Sequence, residues 1–199
     1  MIKNKIEILK DKFKKFEIDG YIVPKNDEYF SEYAKNDRLK NISNFSGSAG
    51  IAIILKKKNY LFVDGRYTIQ AQQESGNNFN IIEIHKKLPH TIIKNYNLGY
   101  DPRLFTSSKL KNYFSNNNLI SINDNLIDQI FKFKEKKTKP FYSLDKNITG
   151  ETHKSKILKI TNFLKLNNAD YLFISAPENI AWLLNIRGYD NPNSPIPNA

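Results

Sequence analysis

Two apolar runs, residues 51–55 (Ile-Ala-Ile-Ile-Leu) and 60–63 (Tyr-Leu-Phe-Val), flank the polar stretch Lys56-Lys57-Lys58-Asn59. A polar gap of this length suits a hairpin loop, so the runs predict two adjacent antiparallel strands. Asn44-Phe45-Ser46-Gly47-Ser48-Ala49-Gly50 leads into this hairpin. Its glycines allow a tight turn with the backbone close to a neighbour. Asp64-Gly65-Arg66-Tyr67 follows the hairpin and runs on to Gln70-Ala71. The Asp64 carboxylate can accept a backbone N–H, which predicts an N-cap and a helix over residues 66–75. Arg66 then sits in the first turn, where a cation opposes the helix dipole. A local rule broken without local gain points toward function.

The remaining pattern alternates helix and strand. Ile2, Ile6, Leu9, Phe13 and Phe16 recur at helical spacing, predicting a helix that ends before Asp19-Gly20. Residues 21–23 read as a strand stopped by Pro24, and residues 27–33 as a short helix or loop. Strands are expected at 79–84, 98–100 and 119–122, a helix capped by Thr106 or Ser107 runs to about Asn116, and a short helix covers 126–131. This is an α/β pattern: residues 1–131 should form a mixed β-sheet of about six strands with helices on both faces. Residues 132–149 lose apolar periodicity, contain Pro140 and are mostly charged, which is linker composition.

Residues 150–199 echo the start of the chain. A helix marked by Ile157, Ile160, Phe163 and Leu164 is followed by Asp170 and an expected strand at 171–174. Ser175 and Glu178 read as a capping box, with Pro177 in the first turn of a helix through Leu184. Trp182 on that helix is expected in a core. The segment therefore reads as the truncated start of a second, related α/β unit. Residues 191–199 hold Pro192, Pro195 and Pro197 and cannot finish a sheet. The economical reading is a fragment: one complete domain and the beginning of another.

The formal net charge of +11 invites a nucleic-acid reading. The cations are 27 Lys against only 4 Arg, with 26 Asn, which is a compositional bias rather than a footprint. Neither Lys56-Lys57-Lys58 nor the basic run at 132–139 carries the interleaved aromatic platform of single-strand binding, so nucleic acid is not expected as a partner. No apolar run approaches membrane-spanning length, and no secretory leader is apparent. Cysteine is absent, which excludes disulfides and thiolate metal sites and fits a cytoplasmic protein.

Catalytic signatures are missing. His85, His90 and His153 form no ligand spacing, and no His-Glu-x-x-His occurs. Ser46-Gly47-Ser48-Ala49-Gly50 misses the nucleophile elbow at its first position and lacks the Gly-Lys-Ser/Thr ending of a phosphate loop. No catalytic residue and no metal site are expected in this chain. In so Lys-biased a sequence the arginines stand out, because their planar fork suits a bidentate partner. Arg38, Arg66 and Arg187 lie within motifs. For Arg38 and Arg187 a structural bond to carbonyls or a buried carboxylate stands beside a ligand role, and for Arg66 the balance leans to a ligand.

Phe45-Ser46-Gly47-Ser48-Ala49-Gly50, a strand, and Asp64-Gly65-Arg66-Tyr67 resemble the N-terminal domain of Xaa-Pro aminopeptidases, within the creatinase and prolidase group. The resemblance extends upstream to Asp27-Glu28-Tyr29-Phe30-Ser31-Glu32-Tyr33 and Arg38, and downstream to residues 181–188. One departure is that the group's Asp-x-His pattern appears here as Asp27-Glu28-Tyr29. The resemblance implies the creatinase N-terminal-like fold. It also implies a parent hydrolase, a metalloprotease that removes an N-terminal residue preceding proline. That enzyme would use two divalent metals, manganese by expectation, held by two Asp, one His and two Glu in a C-terminal pita-bread domain. This chain alone would be inactive, serving subunit contacts in a homo-oligomer and walling the substrate entrance. Its partners would be peptides with proline at the second position and its own catalytic domain, and its compartment the cytoplasm. Arg66, Asp27 and Tyr29 are the expected substrate-facing residues. Arg66 would pair with a carboxylate, Asp27 would hold a cation or orient Arg66, and Tyr29 would line the mouth with Phe30 or pack as an ordinary aromatic. The alternative is a free-standing peptide- or protein-binding module of the same fold without catalysis.

Overall fold

The computed structural model describes residues 2–31, 36–131, 133, 139–190 and 194–197. The chain divides into two compact units, residues 1–134 and 135–199.

In the first unit, α1 (Ile2–Asp11) buries Ile6 and Leu9. The expected helix ran to Phe16, but residues 12–17 continue as turns, with Ile18 N–H bonded to the Phe13 carbonyl. Glu17 adopts a φ of 53°, which no α-helix accommodates. Phe13 stays buried all the same. The six-stranded sheet comprises β1 (Gly20–Pro24), β2 (Gly50–Leu55), β3 (Asn59–Val63), β4 (Asn80–Glu83), β5 (Asn97–Tyr100) and β6 (Asn118–Ser121). Its order is β4-β3-β2-β1-β5-β6. Only β2 is antiparallel to its neighbours, pairing Ile53 with Ile22 and with Tyr60. The remaining pairs are parallel.

Side chains alternate between faces along each strand. Tyr21, Val23, Ala52, Ile54, Leu61 and Val63 pack with α1, α2 (Arg38–Ser43), α3 (Thr68–Ser75) and α6 (Leu126–Ile130). Ile22, Ile51, Ile53 and Phe62 face the other layer, built from α5 (Ser107–Phe114) and the region after α4 (Pro89–Ile92). The fold is thus α/β with helices on both faces, as the alternation predicted. α2 and α4 were not foreseen, being too short to show a period. Asp37 caps α2 through Lys40 N–H, and Thr106 caps α5 through Lys109 N–H.

The second unit holds β7 (Phe141–Ser143), α7 (Lys146–Thr149), α8 (His153–Leu166), α9 (Pro177–Leu184) and β8 (Ile186–Gly188). β7 and β8 pair antiparallel. This corrects the linker reading of 132–149: Tyr142 pairs opposite Arg187, and Asp145 caps α7, so composition understated local order. Residues 171–174, expected as a strand, pair with no described strand, because a strand exists only by hydrogen-bonding to another. The expected capping box is also absent. Ala176 is the N-cap of α9 and makes no side-chain bond, although Pro177 does open the helix. Trp182 is 57% exposed rather than in a core, and the Lys156 ammonium lies 4.1 Å from the ring centroid.

Candidate functional site

Because β2 alone runs against the rest, the carboxyl ends of β1, β3, β4, β5 and β6 share one sheet edge with the start of β2. Ligand crevices of open α/β sheets lie outside the carboxyl ends of their strands. Four chemistry-bearing segments gather there: Asp27-Glu28-Tyr29 after β1, the turn into β2, Asp64-Gly65-Arg66 after β3, and Asp101-Pro102-Arg103 after β5.

The turn into β2 is held by its surroundings. A Cβ added at Gly47 would lie 2.2 Å from the Phe45 ring, and Phe45 is fully buried. Ser46 is fixed from outside, its N–H and hydroxyl both donating to Glu74 at 2.7 Å. The sequence reading of a close backbone approach is what the structure contains.

Asp64 caps the next turn as expected. Its Oδ1 accepts the Arg66 backbone N–H at 3.0 Å and the Arg66 Nε at 2.8 Å. The turn is a short 3₁₀ segment, Gly65–Tyr67, ahead of α3. Arg66 therefore escapes the dipole penalty, since the capping carboxylate neutralises it locally. These bonds, with a smaller contribution from His85, lower the Asp64 pKa to about 2. The Arg66 side chain is 71% exposed and lies against the Tyr67 ring.

Asp101-Pro102-Arg103 repeats this device. Asp101 accepts Arg103 N–H at 3.0 Å, Nε at 3.0 Å and a guanidinium nitrogen at 2.8 Å, with Asn125 adding a further bond. Here the carboxylate is fully buried. Burial pushes its pKa up, but the Arg103 and Asn125 bonds outweigh that and hold it below the ordinary carboxylate value. The sequence reading passed over Arg103, although the spacing Asp-x-Arg at 64 and 101 is a legible signal.

The other motif arginines are structural. Arg38 is 5% exposed and grips Asp128 through two bonds, at 2.7 and 2.8 Å, and Glu28 through one at 2.7 Å. Burial opposes its charge, and the two carboxylates more than restore it. Arg187 donates to the backbone carbonyls of Ala181 and Ile186.

Among the expected substrate-facing residues, Asp27 uses Oδ1 to accept the Tyr29 and Ser31 N–H groups at 3.0 and 2.9 Å, closing its own loop. No described bond joins Asp27 to Arg66. Tyr29 is 63% exposed, so packing does not account for it. Glu32, the last motif acid, lies outside the described residues.

A cleft of about 360 Å³ opens at the same edge. It is lined by Phe30, Ile51, Phe62 and Ile84, by Lys109 and Tyr113 of α5, and by Lys25, Asn26, Ser48 and Asp64. Asp27, Tyr29 and Arg66 do not line it. Sequence reasoning missed Lys109 and Lys25 here, because residues far apart in the chain build the cleft. The histidines stay apart from any ligand cluster. His85 is 74% exposed and 3.5 Å from Asp64, and His90 contacts the Asn112 carbonyl. Among the described residues no group of three or more His, Cys, Asp or Glu side chains is placed to hold a metal ion.

Residues 5–130 match the model of the creatinase/prolidase N-terminal domain. The chain belongs to the creatinase/prolidase family. A further creatinase/prolidase N-terminal domain model matches residues 132–199. Among creatinase/prolidase relatives, the chain is 32% identical to Xaa-Pro aminopeptidase 2 of Rattus norvegicus over 96% of its length, covering 31% of that protein. It is 33% identical to Xaa-Pro aminopeptidase 1 of Dictyostelium discoideum over 98% of its length, covering 35% of that protein. The solved X-prolyl aminopeptidase of Caenorhabditis elegans aligns with a TM-score of 0.81 at 26% identity, across 98% of this chain and 36% of that one. That protein is described as a cytosolic enzyme with a di-nuclear active site. The chain thus spans about a third of the length of these relatives. A di-nuclear centre does not fit the described residues of this chain, which bring no donor set together. No helix among the described residues is long and apolar enough to cross a membrane.

Proposed function

We propose that this chain is the non-catalytic N-terminal part of a metal-dependent Xaa-Pro aminopeptidase, which removes an N-terminal residue preceding proline. The observation that carries this reading is the likeness across 98% of the chain to an X-prolyl aminopeptidase of which it covers only 36%. In this reading the dinuclear centre, manganese by preference, belongs to a catalytic domain outside these residues. The first unit walls the substrate entrance and makes subunit contacts, and the protein works in the cytoplasm. The second unit begins near residue 135 and is completed by further chain. Arg66, Asp27 and Tyr29 face the incoming peptide. Support for this comes from their place at the carboxyl edge and from the exposure of Arg66 and Tyr29.

The test joins sequence to activity. Reading the coding sequence past codon 199 should reveal an Asp, Asp, His, Glu, Glu ligand set, and the product of that whole reading frame should cleave Xaa-Pro peptides with manganese. The 199-residue chain assayed beside it should hold no tightly bound metal pair and show no turnover. A stop codon directly after Ala199 would favour a free-standing peptide-binding module instead. Turnover by the chain alone would overturn the assignment of its role.

A further inference from the structure

We propose that the cleft at the carboxyl edge of the first unit's sheet binds a small monocarboxylate with an apolar body, anchored on the Lys109 ammonium. This goes beyond the peptide-facing role of Arg66, Asp27 and Tyr29, none of which lines the cleft.

The argument begins with which polar groups are already committed. Lys25 is paired with Asp37. Asp64 is taken up by Arg66 and approached by His85. The Ser48 hydroxyl bonds the Tyr67 hydroxyl at 2.9 Å. The Asn26 amide nitrogen donates to the Asp27 and Leu104 carbonyls. Two groups stand apart: the Tyr113 hydroxyl has no described hydrogen bond, and the Lys109 ammonium has one, a 3.5 Å contact to Asn26 Oδ1, beside the Phe105 ring whose centroid lies 5.8 Å away. An ammonium carries three donors, so most of its capacity points elsewhere.

Its surroundings disfavour its charge. Burial is the sole cause lowering the Lys109 pKa, and no carboxylate contributes. A half-buried cation without a counter-ion is costly, and an anion placed beside it removes that cost. Lysine is a point charge rather than a fork, and the second cation of the cleft is already neutralised by Asp37. One carboxylate therefore matches the site better than a phosphate dianion, which would need further donors. The half-exposed Phe30 and the partly exposed Ile84 and Tyr113 that line it ask for an apolar body, and about 360 Å³ suits a ligand the size of a capped amino acid.

The test is a titration of the unaltered 199-residue chain with N-acetyl-leucine and with N-acetyl-leucinamide, its uncharged twin. Backbone amides of residues 48–51, 62–64 and 109–113 would be followed by NMR. The acid should shift those signals and bind roughly tenfold more tightly than the amide, the expected value of one charge-assisted hydrogen bond. Lys109→Met should reduce the acid to the level of the amide, with an unchanged or raised melting temperature because a buried charge is gone. Lys109→Arg should retain part of the preference. Equal affinity for acid and amide, shifts confined to other residues, or no response up to about 10 mM would each overturn the proposal. So would inorganic phosphate outcompeting the acid. The acid–amide comparison needs no variant, so it stands even if a substitution impairs folding.

Discussion

The first unit closes on itself and the second does not. Beyond residue 134 the buried apolar side chains described are Pro177, Ala181 and Pro197, none of them large, whereas the sheet of the first unit buries Tyr21, Ile53, Leu61 and Phe62 completely. The second unit is held by a polar hub instead. Asn185, in a left-handed conformation that ends α9, donates to Thr149 Oγ1 and the Glu151 carbonyl and accepts from the buried Lys156 ammonium at 2.7 Å. Around that hub Leu158, Phe163, Tyr171, Phe173 and Trp182 are more than half exposed. A hydrophobic face with this much exposure is one that something normally covers. Local order comes from caps and turns, but stability comes from burial, and the two units separate those contributions.

Substitutions can break this comparison. The largest contrast is expected between Phe62→Ala and Trp182→Ala. Losing the fully buried Phe62 ring should cost about 3–5 kcal/mol in chemical denaturation of the first unit. Loss of the exposed indole should change stability by less than about 1 kcal/mol. Equal effects would mean that the second unit has a core after all.

The two buried cations give a smaller contrast. Arg38→Met strands the Glu28 and Asp128 carboxylates and should cost about 3 kcal/mol. Lys156→Met leaves only neutral acceptors, Trp182 O and Asn185 Oδ1, and should cost about 1–2 kcal/mol. A reversed order, read from melting of the two variants, would show that the polar hub outweighs the ion network.

Acid should act on the first unit. The Asp101 pKa is lowered on folding, so its contribution is fully present above the unfolded value of about 4 and is lost as pH falls through the folded value. Stability of the first unit should therefore fall below about pH 4, and Asp101→Asn should flatten that slope. An identical slope in the variant would assign the acid sensitivity to other groups. The smallest effect is expected for Arg66→Lys, which exchanges an exposed pair and should move stability by less than about 0.5 kcal/mol. In the full-length aminopeptidase proposed above, the same change should raise KM for longer peptides. An unchanged KM with a lowered melting temperature would make Arg66 purely structural.

What could be read in advance was what neighbouring residues decide. The hairpin, the Asp64 cap and the Thr106 cap depend on positions within a few residues of one another, and all appear as expected. The carboxyl-edge cleft depends on Lys25, Asn26 and Lys109 meeting across the sheet, and no local pattern encodes that. Tyr171-Leu172-Phe173-Ile174 has every local sign of a strand, yet pairing needs a partner that the described residues do not supply. Trp182 misled for the same reason, since burial belongs to the assembled fold and not to the residue. Asp101-Pro102-Arg103 was legible by comparison with Asp64-Gly65-Arg66 and was passed over.

Backbone hydrogen exchange on a dilute, monomeric sample of this chain tests the contrast between the units most directly. Amides of β1, β2 and β3 should exchange only through global opening, whereas those of α8, α9 and β8 should exchange faster by at least about a hundredfold. Protection after Gly150 equal to that of the first sheet would contradict the account and show that the second unit is complete as it stands.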